Sequence, residues 1–159
     1  MNELEFLRHM LATLAYRAAK TMRGAPEIFA GFKPGPTTRT PLEVVAHIGD
    51  LLDWSLTLIR GQGKWVASAP LDWESEKARF FASLKRFDDA LASGEPIKIE
   101  MKRLFQGPIA DAFTHTGQLA MLRRMSGNPM KGESYARADI ITGRVGIEQT
   151  PAESKYEFD

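Results

Sequence analysis

Three ionisable side chains, His47, Asp111 and His115, have the types and spacing expected of a metal-binding group. Asp111 and His115 are four residues apart in "DAFTHTGQ", so on a helix both would project from one face within reach of a single ion. Two imidazoles and one carboxylate are a sufficient protein ligand set for an open divalent-metal site, which leaves positions for water or substrate. The chemistry indicated is metal-assisted reaction of a small molecule.

Other interpretations of the same residues stay open. A histidine on an apolar stripe is often hydrogen-bonded within the core, and an aspartate near the start of a helix is favoured there by the helix dipole. A non-catalytic metal-binding or ligand-binding module, or a dimerising bundle with a decayed site, would carry the same residues. Two histidines and one carboxylate are also the facial triad of non-haem iron enzymes.

Three further side chains are candidates for supporting or lining the pocket. Gln118 follows His115 by three residues and is expected to hydrogen-bond a ligand residue, line the pocket, or bridge two helices. Trp54 lies on the same predicted stripe as His47, with core packing as its alternative role. Tyr135 in "GESYARAD" is a candidate hydrogen-bond donor over the site or a contact of the tail. The sequence names no general base or other catalytic residue.

Four amphipathic helical segments would have to position these residues. Gly and Pro residues end the first segment, and Thr40, Pro41 and Glu43 form a capping-box signature that begins the second. Gly127 and the proline at 129 end the last one. The segments cover about residues 3–22, 41–60, 72–92 and 108–126. The pattern predicts an all-α four-helix bundle in which long links also allow a crossover topology.

The predicted stripes carry the site residues into the bundle. In the second segment the stripe consists of Val44, His47, Leu51, Trp54 and Leu58. In the fourth it consists of Asp111, His115, Gln118, Leu122 and Met125, and this heptad spacing predicts that it faces the other helices. A carboxylate buried there without a partner would be very unfavourable, and a bound cation is one way to compensate it.

The rest of the chain is predicted to be less regular. "EPIKIEMKRLFQG" is interpreted as an extended connection, because two isoleucines alternate there as in a short strand. The bundle would occupy about residues 3–127, followed by an irregular tail over 128–159 with one helical turn in "YARAD". All 159 residues are expected to form a single domain.

Composition restricts the partners. The 21 basic and 20 acidic residues give a net charge of +1, so nucleic acid is not an expected partner. The chain has no cysteine, which excludes disulfides and thiolate metal ligands. No apolar run approaches the roughly 18 residues of a membrane helix, and the N-terminus lacks the pattern of a signal peptide. These features predict a cytoplasmic protein with no membrane partner, and the small-molecule substrate is predicted by the metal-binding residues instead.

Two sequence stretches resemble the DinB-like (DinB/YfiT) metalloenzyme family. They are "RTPLEVVAHIGDLLDW" and, some sixty residues on, "ADAFTHTGQLAMLRRMSGNP". The resemblance extends from the first helix to about residue 129. Its most specific part comprises His115, Gly117, Gln118, Leu122, Arg123, Arg124 and Gly127.

The resemblance implies a four-helix bundle, often a homodimer, with a divalent metal held by three residues. Carried over to this chain, those residues are His47, His115 and Asp111, and Asp111 stands where the family has a histidine. Zinc is the first expectation, with nickel, manganese or iron as alternatives. Relatives include a maleylpyruvate isomerase and thiol-dependent transferases that use bacillithiol or mycothiol. The implied activity is therefore S-transfer from a low-molecular-weight thiol to a small electrophile, or hydrolysis.

Overall fold

The computed structural model describes residues 2–158, and most of the chain lies in four long helices. These helices are α1 (Glu3–Met22), α2 (Pro41–Ile59), α3 (Trp73–Ala92) and α4 (Ala110–Met125). The predicted all-α four-helix fold is confirmed, and the first three helices begin and end within a residue or two of the predicted bounds. Across residues 2–158, no helix combines the length and apolar character that crossing a membrane requires.

Side-chain caps fix where the first three helices begin. At α2, Thr40 accepts a hydrogen bond from the Glu43 backbone N–H at 3.2 Å, and Glu43 accepts one from the Thr40 N–H at 2.7 Å. Asn2 and Glu5 form the same reciprocal pair at α1. Asp72 caps α3 by accepting from the Ser75 N–H. Each cap satisfies backbone donors that the first turn of a helix leaves free, so the start of α2, six residues before His47, is well defined.

The packing order of the helices shows that the chain crosses the bundle twice. Helix α1 packs on α3 and α4, and α2 packs on the same two helices. Consecutive helices α1 and α2 therefore occupy opposite corners, as do α3 and α4. The long links over residues 23–40 and 93–109 span these diagonals, which explains their length. Because of this order, α2 and α4 are direct neighbours.

The core lies between the four helices and is formed by their apolar faces. Its largest fully buried side chains include Leu7, Leu11, Leu14 and Met22 of α1, Ile48 and Leu52 of α2, and Phe80, Leu84, Phe87 and Leu91 of α3. Phe29, from the link between α1 and α2, packs edge-to-face on Trp73 with ring centroids 5.8 Å apart. This continuous core holds α2 in place beside α4.

The second half of the segment before α4 is helical, which corrects part of the predicted extended connection, whereas residues 95–100 are non-helical as predicted. Met101–Leu104 forms a helical turn, and Phe105–Ile109 forms a π-helical turn that leads into α4. The backbone is non-helical at Gly107, where φ is −94° and ψ is −108°, immediately before Pro108. Proline lacks the N–H of a regular helical bond and restricts the preceding residue, so the chain kinks just before Asp111.

The C-terminal tail is largely irregular, as predicted, and is anchored on α1. A short antiparallel pair joins β1 (Gly132–Glu133) to β2 (Glu157–Phe158), and the helical turn predicted in "YARAD" is a 3-10 turn over Tyr135–Arg137. Glu133 is buried, and its carboxylate accepts hydrogen bonds from the Tyr16 hydroxyl and the Lys20 ammonium, both at 2.6 Å. Burial and this carboxylate raise the pKa of Tyr16, which keeps its hydroxyl a donor.

Candidate metal centre

The α2–α4 interface brings His47, Asp111 and His115 together. The Nε2 atom of His47 lies 3.5 Å from Oδ2 of Asp111, and the Nε2 atom of His115 lies 3.4 Å from Oδ1 of the same carboxylate. One donor atom from each residue lies within 4.8 Å of the other two. The two imidazole rings meet edge-to-face with centroids 4.7 Å apart. These residues therefore form a candidate site for a metal ion.

The nitrogen–oxygen distances fit shared coordination better than direct ion pairs. A charge-assisted bond from an imidazolium to a carboxylate has a length of about 2.7–2.9 Å, well below the 3.4 and 3.5 Å observed here. In a tetrahedral zinc site with bonds of about 2.0–2.1 Å, neighbouring ligand atoms lie about 3.3–3.4 Å apart. The two histidines face different oxygens of Asp111, and each nitrogen–oxygen pair has a spacing that is compatible with a shared ion.

Gln118 determines which nitrogen of His115 is available. Its Oε1 atom lies 2.7 Å from Nδ1 of His115. Because an amide oxygen only accepts hydrogen bonds, Nδ1 of His115 is the donor in this contact, and Nε2 is the ring nitrogen that faces Asp111. Orientation of a histidine ligand by such an acceptor is a regular feature of metal sites.

The surroundings of His47 favour its neutral form. Burial lowers the pKa of His47, and the positive charge of Arg39 and the neighbouring His115 lower it further. The carboxylate of Asp111 raises this pKa but does not outweigh the other causes. Trp65, from the link between α2 and α3, packs edge-to-face on the His47 ring with centroids 5.8 Å apart. A neutral imidazole is the form that coordinates a metal.

His115, Gln118, Leu122 and Met125 of the fourth-helix stripe line a cavity beside the core, and of the stripe residues only Leu122 is buried, which corrects the predicted core-facing position of the others. Asp111 is 45% exposed, and the side chains of Gln118 and Met125 are also exposed. The buried face of α4 consists of Ala112, Thr116, Leu119, Leu122 and Arg123. Asp111 is therefore not a fully buried carboxylate that requires a compensating cation.

A cavity of about 810 Å³ opens beside the two histidines. Residues from α2, from α4 and from the link between α1 and α2 form its wall: Pro34, Thr38, Arg39, Val44, His47, His115, Gly117, Gln118, Met121, Leu122 and Met125. Its volume falls within the range of about 300–1,000 Å³ that is usual for small-molecule sites. Both imidazoles of the candidate metal centre line this cavity.

Two other candidate residues lie outside the cavity wall. Trp54 packs edge-to-face on Trp65 at 5.7 Å and donates a hydrogen bond to the Gly63 carbonyl oxygen, so it supports the ring that covers His47. Tyr135 packs against Tyr16 at 6.3 Å and under the Arg17 guanidinium at 4.2 Å. Tyr135 therefore makes a contact of the tail with α1, which was one of its two expected roles.

Sequence reasoning missed the contribution of the link between α1 and α2. Arg39 and Thr38 belong to "GFKPGPTTRTP", whose glycines and prolines indicate only a loop between the first two helices. Their position directly before the Thr40 cap was the available signal, because that cap places them beside the start of the helix that carries His47. Arg123 also has an unexpected role, since its buried guanidinium donates to the carbonyl oxygens of Thr21, Arg23 and Asn128.

Comparisons of this chain with known protein families, with curated proteins and with solved structures found no significant match.

Proposed function

We propose that this protein is a divalent-metal-dependent enzyme that acts on a small molecule bound in the cavity between α2 and α4. The convergence of His47, Asp111 and His115 around one point supports the proposal most directly. The cavity beside the two histidines provides room for a substrate. Zinc fits the donor set, and nickel, manganese or iron are alternatives for two imidazoles and one carboxylate.

The proposed reaction is nucleophilic attack on a small electrophile by a thiol or by water. A divalent ion in such a site lowers the pKa of a thiol or water and makes it nucleophilic at neutral pH. In S-transfer, the sulfur bonds to the electrophilic carbon, the leaving group departs with its electron pair, and the thiol proton passes to solvent. The DinB-like resemblance favours a low-molecular-weight thiol as the nucleophile. It also predicts a homodimer.

Three residues of the site would hold the metal ion, and a fourth would orient one of these ligands. His47 and His115 would present neutral nitrogens, and Asp111 would supply the negative charge that offsets that of the ion. Gln118 would keep the His115 ring in its coordinating tautomer. The apolar wall, which includes Val44 and Leu122, would exclude water from one side of the reacting centre.

A metal-reconstitution assay tests this function. Tag-free protein is stripped with a chelator, loaded with Zn²⁺, Ni²⁺, Mn²⁺ or Fe²⁺, and assayed with cysteine and 1-chloro-2,4-dinitrobenzene for S-transfer and with p-nitrophenyl acetate for hydrolysis. We expect turnover that requires the metal and is lost in His47→Ala and His115→Ala. His9→Ala is the matched control, because His9 contacts Thr142 and lies outside the site. Full metal occupancy without metal-dependent turnover would contradict catalysis of these reactions.

Two observations favour specific alternatives. The partial exposure of Asp111 favours a non-catalytic binding module, for which metal would bind without any turnover. The donor set itself favours a non-haem iron enzyme. Oxygen consumption that requires Fe²⁺ and is not supported by Zn²⁺ would select that second alternative.

A further inference from the structure

We infer that the cavity beside the candidate metal centre binds small molecules that combine an apolar body with an anionic group, and that Arg39 recognises the anion. The inference rests on the proposed function, because it specifies the class of substrate that would meet His47 and His115. It assigns a specificity role to a residue of the link between α1 and α2. The charge distribution, the cavity wall and the free guanidinium of Arg39 each contribute to it.

Arg39 is the permanently charged residue of the cavity wall. The other wall residues are apolar or neutral, apart from the two histidines, and no carboxylate is among them. Arg39 and His47 line the same cavity, so the guanidinium lies on the wall that also carries the candidate metal ligands. The charged side chain of the wall is thus a cation, while the Asp111 carboxylate contacts the two histidines from outside the wall, so the region beside Arg39 favours a negatively charged group of a ligand.

The guanidinium of Arg39 is available to a ligand. Within residues 2–158, Arg39 makes no ion pair and no side-chain hydrogen bond. Glu43 lies four residues after Arg39 in the chain, but its carboxylate is held by the backbone N–H and hydroxyl of Thr40. A planar guanidinium with free donors matches a carboxylate in two parallel hydrogen bonds.

The remainder of the wall suits an apolar body. Val44 and Leu122 are buried at the base, while Met121 and Met125 are 61% and 56% exposed on the α4 side. Exposed methionines beside a cavity provide adaptable apolar contact to a ligand. Pro34, in the link between α1 and α2, also contributes to this apolar surface. A ligand could thus bury apolar atoms along α4 while its anionic group reaches Arg39.

Binding of matched probes to metal-free protein tests the inference. The probes are the phenylalkanoates from phenylacetate to 6-phenylhexanoate and the corresponding neutral amides, and their dissociation constants are measured by calorimetry at low ionic strength. We expect at least one carboxylate to bind about tenfold or more tightly than its amide, as a charge-assisted bond to a guanidinium would give. Arg39→Gln should remove this difference and leave amide binding unchanged.

Two further variants separate charge from apolar contact. Lys33→Gln removes a cation from the same link at a residue outside the cavity wall, so it should keep the preference for the carboxylate. Met121→Gln should weaken the carboxylate and its amide together. Arg39, Lys33 and Met121 are exposed, and unchanged helix content and melting temperature confirm that the variants fold.

Three results would overturn the inference. These are no binding of any probe, equal binding of carboxylates and amides, and a carboxylate preference that survives Arg39→Gln. A preference seen only with zinc and insensitive to Arg39→Gln would place the carboxylate on the metal instead. Zinc binding is measured separately on the same protein. If the protein retains zinc but shows no preference for carboxylates, only the inference about Arg39 is contradicted. If it prefers carboxylates but binds no zinc, only the proposed metal-dependent function is contradicted.

Discussion

The Nε2 atom of His47 in α2 lies 3.5 Å from Oδ2 of Asp111 in α4. These residues are far apart in the chain, and they meet only because the crossover order of the bundle makes α2 and α4 neighbours. A metal bound between them would join two helices that the unfolded chain leaves separate. Metal binding and folding are therefore expected to be thermodynamically linked.

Zinc should raise the melting temperature of the protein. At a free zinc concentration of 100 times the dissociation constant, the expected gain is about 2.7 kcal/mol. For a chain of this size that corresponds to roughly 5–10 °C. Thermal unfolding followed by circular dichroism, with and without zinc, measures the shift. His47→Ala should abolish it while His9→Ala retains it, and an equal shift in both variants would place the zinc elsewhere.

Gln118→Leu should weaken zinc binding by about 10–100-fold, because it removes the acceptor that keeps the Nδ1 proton of His115 in place. Gln118→Glu preserves an acceptor at the same position and should retain the affinity. Competition with a chromophoric chelator measures both dissociation constants. Equal affinities for the leucine variant and the wild type would show that Gln118 does not orient the ligand.

Arg79→Met should destabilise the fold by about 3–5 kcal/mol, because it leaves buried carboxylates without their cation. The Arg79 guanidinium contacts Asp50 at 3.0 Å and Glu76 at 2.9 Å, and both acids are buried. Urea denaturation measures the loss. Lys85→Ala, which breaks an exposed pair with Asp89, is the control and should cost less than about 0.5 kcal/mol. A loss below about 1 kcal/mol for Arg79→Met would contradict this role.

The cap of α3 should contribute to acid sensitivity. The backbone N–H and hydroxyl of Ser75 donate to Asp72 and hold the pKa of its carboxyl below the ordinary value. The folded state then binds fewer protons than the unfolded state, so this stabilisation is present at neutral pH and is lost as the pH falls below about 4.

Asp72→Asn keeps a capping oxygen and removes the titration. We expect its melting temperature to fall less than that of the wild type between about pH 5 and pH 3. Parallel thermal melts across this range provide the comparison. Identical slopes for the two proteins would show that Asp72 does not couple the α3 cap to pH.

The helices and the three candidate ligands were predictable from local patterns. Thr40, Pro41 and Glu43 mark the start of α2, and this fixes the helix on which His47 lies. The four-residue spacing of Asp111 and His115 places both on one helix face. Local patterns of this kind need no knowledge of the tertiary packing.

The remaining features depend on packing that a sequence pattern does not carry. The stripe of α4 was predicted to face the core, but the crossover order leaves Gln118 and Met125 beside a cavity. The helical turns before α4 were missed because the alternating isoleucines of "EPIKIEM" indicated an extended segment. Arg39 belongs to a loop whose position follows only from the diagonal connection of α1 to α2.

X-ray absorption spectroscopy of zinc-loaded, tag-free protein tests the central claim most directly. The claim predicts one zinc per chain, a nitrogen–oxygen shell at about 2.0–2.1 Å, and outer-shell scattering from two imidazoles, reduced to one in His47→Ala. Retention of less than about a tenth of an equivalent of zinc, or an imidazole signal unchanged in His47→Ala, would contradict the site.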